Sequence, residues 1–172
     1  IDNWSDANTA PKYFICNNKG KELLVLEDNT ALNERMKEYG FVKQEFFKFT
    51  TSENVELNGW MIKPANMEAG KKYPVFMYMY GGPGVNTVEN SFGYFDFAWF
   101  QMLAQKGYIV VSVDNRGTGG RGEEFKKCTY MQLGKYEVAD QIEAAKYLGT
   151  LDYVDKSRIG VFGWSFGGYL ST

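Results

Sequence analysis

Histidine is absent from this 172-residue sequence, so any mechanism that needs an imidazole base cannot be completed within these residues. Cysteine is scarce. Cys16 and Cys128 lie far apart and suit neither a disulfide-dense secreted module nor a zinc site with C-x-x-C spacing, so they leave the redox compartment open. An excess of basic charge is also missing: 19 Lys and Arg face 21 Asp and Glu, for a formal charge of −2. That balance excludes an electrostatic nucleic-acid binder, and no nucleic acid is expected as a partner. No uncharged apolar run approaches the ~20 residues that span a bilayer, so no membrane segment is expected. The opening Ile1-Asp2-Asn3-Trp4 has no basic region or apolar core of a leader. What the chain does have is 44% hydrophobic and 23% charged residues, the balance of a folded globular domain. A domain of this size buries about 70% of its unfolded surface, enough to fold without disulfides or a structural metal.

The patterning falls into two parts. Tyr13 to Cys16 and Leu23 to Leu26 are β-prone runs joined by Asn17-Asn18-Lys19-Gly20, a hairpin with a glycine-bearing loop. A lone hairpin is marginal in water, so it belongs to a larger sheet. Asp28-Asn29-Thr30 offers caps for a short helix with Leu32 and Met36 on one face, and Gly40 ends it. This helix reads as a linker. From Gln44 strands dominate: a run through Phe47 and Phe49, a turn at Thr51 to Asn54, and a return over Val55 to Ile62 predict an antiparallel pair.

Val75 to Tyr80 is an unbroken apolar run, and Tyr108 to Val113 and Arg158 to Gly163 are largely apolar, as expected of strands buried on both faces. A helix from about Asp96, with Trp99, Met102 and Leu103 on one side, separates the first two. A second, from about Glu137, carries Val138, Ile142, Ala145 and Leu148 to Gly149. Strand and helix in alternation predict a parallel sheet in an α/β fold, with chemistry at the carboxyl ends of its strands.

The third of these strands runs directly into Gly163-Trp164-Ser165-Phe166-Gly167. This is G-x-S-x-G, the tight strand-to-helix turn of α/β-hydrolases, whose glycines make room where backbones crowd and whose serine hydroxyl stands above the sheet. Ser165 is therefore the candidate nucleophile. A serine needs a base to take its proton and donors aimed at the developing oxyanion. One donor is expected from the backbone N–H of Phe166 and the other from the loop Tyr80-Gly81-Gly82-Pro83-Gly84. From spacing alone Tyr80 either offers its phenol or merely closes the strand. Gly117-Thr118-Gly119-Gly120-Arg121-Gly122 satisfies G-x-G-x-x-G, but Asp114-Asn115-Arg116 separates it from the strand and polar residues come after it. A structural loop is the expected reading. The aromatic group Phe92, Tyr94, Phe95, Phe97, Trp99 and Phe100 is expected to pack a core or an interface before it lines a substrate cavity.

Together the segments Lys71-Lys72-Tyr73-Pro74, Tyr80-Gly81-Gly82-Pro83, Asp114 to Gly119, Glu137 to Gln141 and Gly163 to Tyr169 resemble the prolyl oligopeptidase family, and within it the dipeptidyl peptidase IV branch. Val25-Leu26-Glu27-Asp28-Asn29 resembles the point where that branch leaves its β-propeller. The resemblance covers nearly the whole chain. It implies residues 1–40 as the end of a β-propeller with a linker helix, and residues 41–172 as a truncated α/β-hydrolase domain up to the nucleophile turn. It implies a serine exopeptidase that removes N-terminal dipeptides with Pro or Ala second, Ser165 as nucleophile, and Tyr80 as a side-chain donor to the oxyanion hole. Peptides are the implied partners, no metal or organic cofactor is implied, and a homodimer stays open for the intact parent. A periplasmic, cell-surface or secreted setting is favoured by the same resemblance.

The sequence departs from the branch at Phe166, where a Tyr is usual; the main-chain donor is unaffected, but a phenol near the proline pocket is lost. The glutamates that hold the substrate's amino group in the branch belong to the propeller, and Glu123-Glu124 lies in the other domain, so it reads as solvated surface. Hydrolases of this fold place their acid and histidine after the serine. Only Phe166 to Thr172 come after it here, so the segment by itself is expected to be inactive, with a fraying last helix and sheet edges prone to pair with other chains. The alternatives are a non-catalytic binding domain on the same fold, and another propeller-capped oligopeptidase or aminopeptidase.

Overall fold

Backbone pairing divides the strands between two sheets. In the computed structural model, which describes residues 1–172, β1 (Asp2–Asp6), β2 (Thr9–Cys16) and β3 (Glu22–Glu27) form a three-stranded antiparallel sheet. The expected hairpin is β2–β3. Asn17 closes it, its Oδ1 accepting from the backbone N–H groups of Lys19 at 2.9 Å and Lys21 at 3.0 Å. The strand β1 lies outside the sequence expectation. Leu23, Leu24, Val25 and Leu26 are all exposed. Helix α1 (Thr30–Glu38) starts where predicted, with the Thr30 N–H donating to Asp28 Oδ1 at 2.9 Å. It buries no residue and Leu32 is exposed, so the predicted Leu32–Met36 face is not a packing face here. Asn8 fastens the small sheet to the chain at Gln44: its Nδ2 donates to the Gln44 carbonyl at 3.0 Å and its Oδ1 accepts from the Gln44 N–H at 2.7 Å.

The larger sheet has five strands, β4 (Gln44–Thr50), β5 (Glu56–Ile62), β6 (Tyr73–Met79), β7 (Ile109–Asp114) and β8 (Val154–Gly163). Their spatial order is β4-β5-β7-β6-β8. The pairs β4–β5 and β5–β7 are antiparallel, and β6 pairs in parallel with both β7 and β8. The sheet is thus mixed, its predicted parallel part joined to the predicted antiparallel pair through β7.

Every residue of β7 is buried, and each fully buried Val or Ile there contributes about 1.5–3 kcal/mol. The prediction of two-sided burial fails for the other two apolar runs. In β6, Tyr73, Val75, Met77 and Met79 are buried while Pro74, Phe76 and Tyr78 are half-covered. In β8 only Val154 is buried, and Val161 and Phe162 are exposed, because this strand is the sheet's edge.

The helices α2 (Phe97–Gln105), α3 (Glu123–Lys127), α4 (Lys135–Leu148) and α5 (Phe166–Leu170) complete the chain. In α2 the buried residues are Phe100, Gln101 and Ala104; of the predicted side, Trp99 and Leu103 pack against this cluster and Met102 is exposed. Gln101 is the polar member of the buried face. Its side chain grips Val42 on both sides, accepting from the Val42 N–H at 2.8 Å and donating to the Val42 carbonyl at 2.9 Å. In α4 the buried residues are Glu137, Asp140, Gln141, Ala144 and Leu148; of the predicted apolar face, Leu148 and Ala145 pack on the core, whereas Val138 and Ile142 are exposed. No helix is long and apolar enough to cross a membrane.

Candidate active site

The carboxyl ends of β6, β7 and β8 converge on one rim of the sheet. There β8 ends at Gly163, paired with Met79 of β6, which sets the next residue of each strand, Trp164 and Tyr80, on neighbouring strand ends. The chain reverses at once into α5, and Ser165 at the bend takes φ 56° and ψ −116°. For a residue with a Cβ this conformation costs on the order of 1–3 kcal/mol and persists only where packing enforces it. The packing is visible. A Cβ on Gly163 would run into the Gly167 backbone, and a Cβ on Gly167 would run into the Met79 carbonyl. Both glycines of G-x-S-x-G are therefore required, and the bend is pressed against the end of β6. Ser165 itself is exposed.

Two predicted companions lie beside it. Phe166 is the first residue of α5, and an N–H in that position has no partner inside the helix. Tyr80 comes directly after β6, and its ring and that of Phe166 both border Gly82: a Cβ there would stand 2.7 Å from Tyr80 Cε1 and 3.3 Å from Phe166 Cγ. Glycine is what lets the two rings and the loop share this space. The structure thus gathers Ser165, Phe166 and Tyr80 at one strand-end cluster.

A cavity of about 230 Å³ opens beside Tyr80, with Tyr78, Tyr94, Phe95 and Asp96 in its wall. The aromatic group therefore divides its labour. Tyr94 and Phe100 pack with Trp60, whereas Phe95 is fully exposed. Burial, with Asp96 and Tyr80 adding to it, pushes the Tyr78 phenol above its ordinary pKa, so it stays a neutral donor. A roomier cavity of about 470 Å³ includes Tyr73 and Lys71 in its wall. It sits at the opposite, amino end of β6, away from the serine.

The loop after β7 supports this rim. Asp114 accepts from Asn86 Nδ2 at 2.7 Å and from the Thr87 N–H at 2.8 Å, and Gly84 N–H donates to the Gly117 carbonyl at 2.8 Å. The Gly117 to Gly122 stretch is thus a packed turn at its start, with Thr118 buried, and α3 after it buries no residue. Arg116 holds Asp140 of α4 through Nε and Nη2, the latter at 2.6 Å, and reaches Glu53 at 2.7 Å. The Asp140 hydrogen bond, then Glu53, keeps the guanidinium pKa above its ordinary value despite burial. Glu123 and Glu124 are exposed.

Other chemistry is weaker. Burial raises the Cys128 thiol above its ordinary pKa, which suppresses the thiolate a cysteine nucleophile needs. No three His, Cys, Asp or Glu side chains gather as metal ligands. The buried supports Asn115, Asp140 and Gln141 fall within segments that carry the family resemblance, but the residue pattern did not state their supporting role.

Comparison with known proteins bears on this rim. The model of the prolyl oligopeptidase family matches residues 94–172. A probable dipeptidyl peptidase 4 of Emericella nidulans is 39% identical over 155 residues, 90% of this chain and 20% of the relative. Human dipeptidyl peptidase 8 is 39% identical over 132 residues, 76% of this chain and 15% of the relative. Among solved structures, Porphyromonas gingivalis dipeptidyl peptidase 4 matches with a TM-score of 0.91 at 47% identity, over 98% of this chain and 24% of that one. The chain spans a quarter or less of each.

Proposed function

This chain belongs to the prolyl oligopeptidase family, and from that premise we propose that the protein carrying it is a serine exopeptidase releasing N-terminal dipeptides of the X-Pro or X-Ala type. Residues 1–40 are assigned to the end of a β-propeller with its linker helix, and residues 41–172 to the first part of the α/β-hydrolase domain. The observation that carries the reading is Ser165, exposed and held at φ 56° on a bend that its flanking glycines enforce.

In this mechanism Ser165 Oγ attacks the carbonyl carbon of the scissile bond while its proton passes to a base. The oxyanion is held by the Phe166 N–H and the Tyr80 phenol. Removing one such donor typically costs about 10²–10³ in kcat. The C–N bond then breaks as the leaving amine takes up the proton, and water hydrolyses the acyl-enzyme to free dipeptide and serine. The sequence contains no histidine, so an imidazole base comes from residues outside these 172, and in this fold's chain order the orienting acid, too, follows the serine; the segment alone is proposed to hydrolyse no peptide.

The test is product analysis with the full-length protein on an X-Pro peptide presented with a free and with an acetylated N-terminus. The reading expects the dipeptide from the free peptide and none from the blocked one. Comparable cleavage of both, or cleavage at internal bonds, would replace it with an endopeptidase.

A further inference from the structure

Tyr80 lies beyond the last residue of β6, on a loop with no regular structure, so its position depends on what binds the loop's peptide groups. Farther along, the ties are clear: Gly84 to Gly117, Asn86 to Asp114 and Gly119, Thr87 and Val88 to Asp114. Next to Tyr80 the tie is one side chain. Asn115, 0% exposed just past β7, donates from Nδ2 to the Gly81 carbonyl at 3.0 Å. The same nitrogen donates to the Arg116 carbonyl at 2.7 Å.

The amide's orientation is itself imposed. Asn115 Oδ1 accepts from Gln141 Nε2 at 2.9 Å, and that nitrogen also donates to the Val113 carbonyl at 2.9 Å. With Gln141 fixed on α4, only the nitrogen of the Asn115 amide can face Gly81. The approach is tight. Gly81 takes φ +68°, and a Cβ there would stand 2.5 Å from Asn115 Oδ1 and 2.6 Å from Leu170 Cδ1. A buried amide with both ends satisfied loses freedom to reorient, and the peptide it holds is the one immediately after Tyr80.

We propose that Asn115 is a positioning residue for the oxyanion hole: through the Gly81 carbonyl it fixes the main chain that aims the Tyr80 phenol above Ser165. The proposal rests on Tyr80 acting as an oxyanion donor. Asn115 itself touches no substrate. Its effect comes from the steep dependence of catalysis on placement, where a displacement of about 1 Å can cost about 10²-fold.

A double-mutant cycle in the full-length protein separates positioning from mere stability. Tyr80→Phe is expected to lower kcat by about 10²-fold. Asn115→Ala is expected to lower it by about 10-fold, with KM changed by less than about twofold. In the Tyr80→Phe background the Asn115→Ala loss should shrink to less than about twofold, because there is no phenol left to misplace. If the two losses multiply, or Asn115→Ala acts on KM alone, Asn115 is not positioning Tyr80 and the proposal falls while the nucleophile reading stands. If Tyr80→Phe leaves kcat unchanged, the oxyanion role of Tyr80 falls and this proposal with it. Should Asn115→Ala not accumulate as folded protein, Gln141→Leu enters the same cycle. It frees the amide without touching the loop, and a loss undiminished in the Tyr80→Phe background overturns the proposal.

Discussion

At the scale of residues, the proposed chemistry turns on a single dihedral angle. Ser165 at φ 56° is energetically unfavourable taken alone, and it is held because Gly163 and Gly167 let two backbones meet where any Cβ would collide. The collision is directional, which makes it testable. Gly167→Ala drives a methyl into the Met79 carbonyl, and overpacking of this kind costs about 1–3 kcal/mol. Gly160→Ala, on the preceding strand β8, meets nothing within 4 Å and should change stability by less than about 0.5 kcal/mol. Chemical denaturation of the two variants checks this. Equal midpoints would mean that the bend is not packed against β6. The motif was legible in the sequence because the chemistry of a sharp bend leaves glycines at fixed spacing. Asn115 was not, since an asparagine between Asp114 and Arg116 carries no mark of which carbonyl it will hold.

At the scale of elements, α4 shows what periodicity can and cannot report. Its existence, its end at Gly149 and the packing of Ala145 and Leu148 are legible in the pattern, but the rest of the face is not. Val138 and Ile142 point outward, and Asp140, fully buried, faces Arg116. Apolar spacing records side-chain character, whereas a polar residue's burial depends on a partner that arrives from a distant turn. Asp140→Ala should therefore destabilise the fold by about 3 kcal/mol, because it leaves a largely buried guanidinium without its main partner. Glu53, with a side chain 57% exposed, should tolerate Ala within about 1 kcal/mol. Thermal unfolding of both variants distinguishes them, and matching losses would contradict the assignment of Asp140 as the principal partner. The same limit explains β8. Its apolar run reads as a doubly covered strand, yet it occupies the edge of the sheet, and sequence alone does not state a strand's neighbours.

Across the whole molecule, the order β4-β5-β7-β6-β8 joins an antiparallel pair to a parallel core and brings the ends of β6 and β8 side by side. That adjacency turns two separate sequence motifs, one at Tyr80 and one at Ser165, into one site. The sequence reading expected the two to meet as nucleophile and oxyanion loop; what brings them together is the pair of crossovers through α2 and α4, which return each strand parallel to the last. The central claim is that this rim presents a nucleophilic serine. The most direct measurement is fluorophosphonate labelling of the full-length protein and of its Ser165→Ala variant, with the adduct located by peptide mass. The account predicts one adduct on the peptide containing Ser165 and its loss in the variant, together with loss of dipeptide release. Equal labelling of both proteins, or an adduct mapped to another residue, would contradict it.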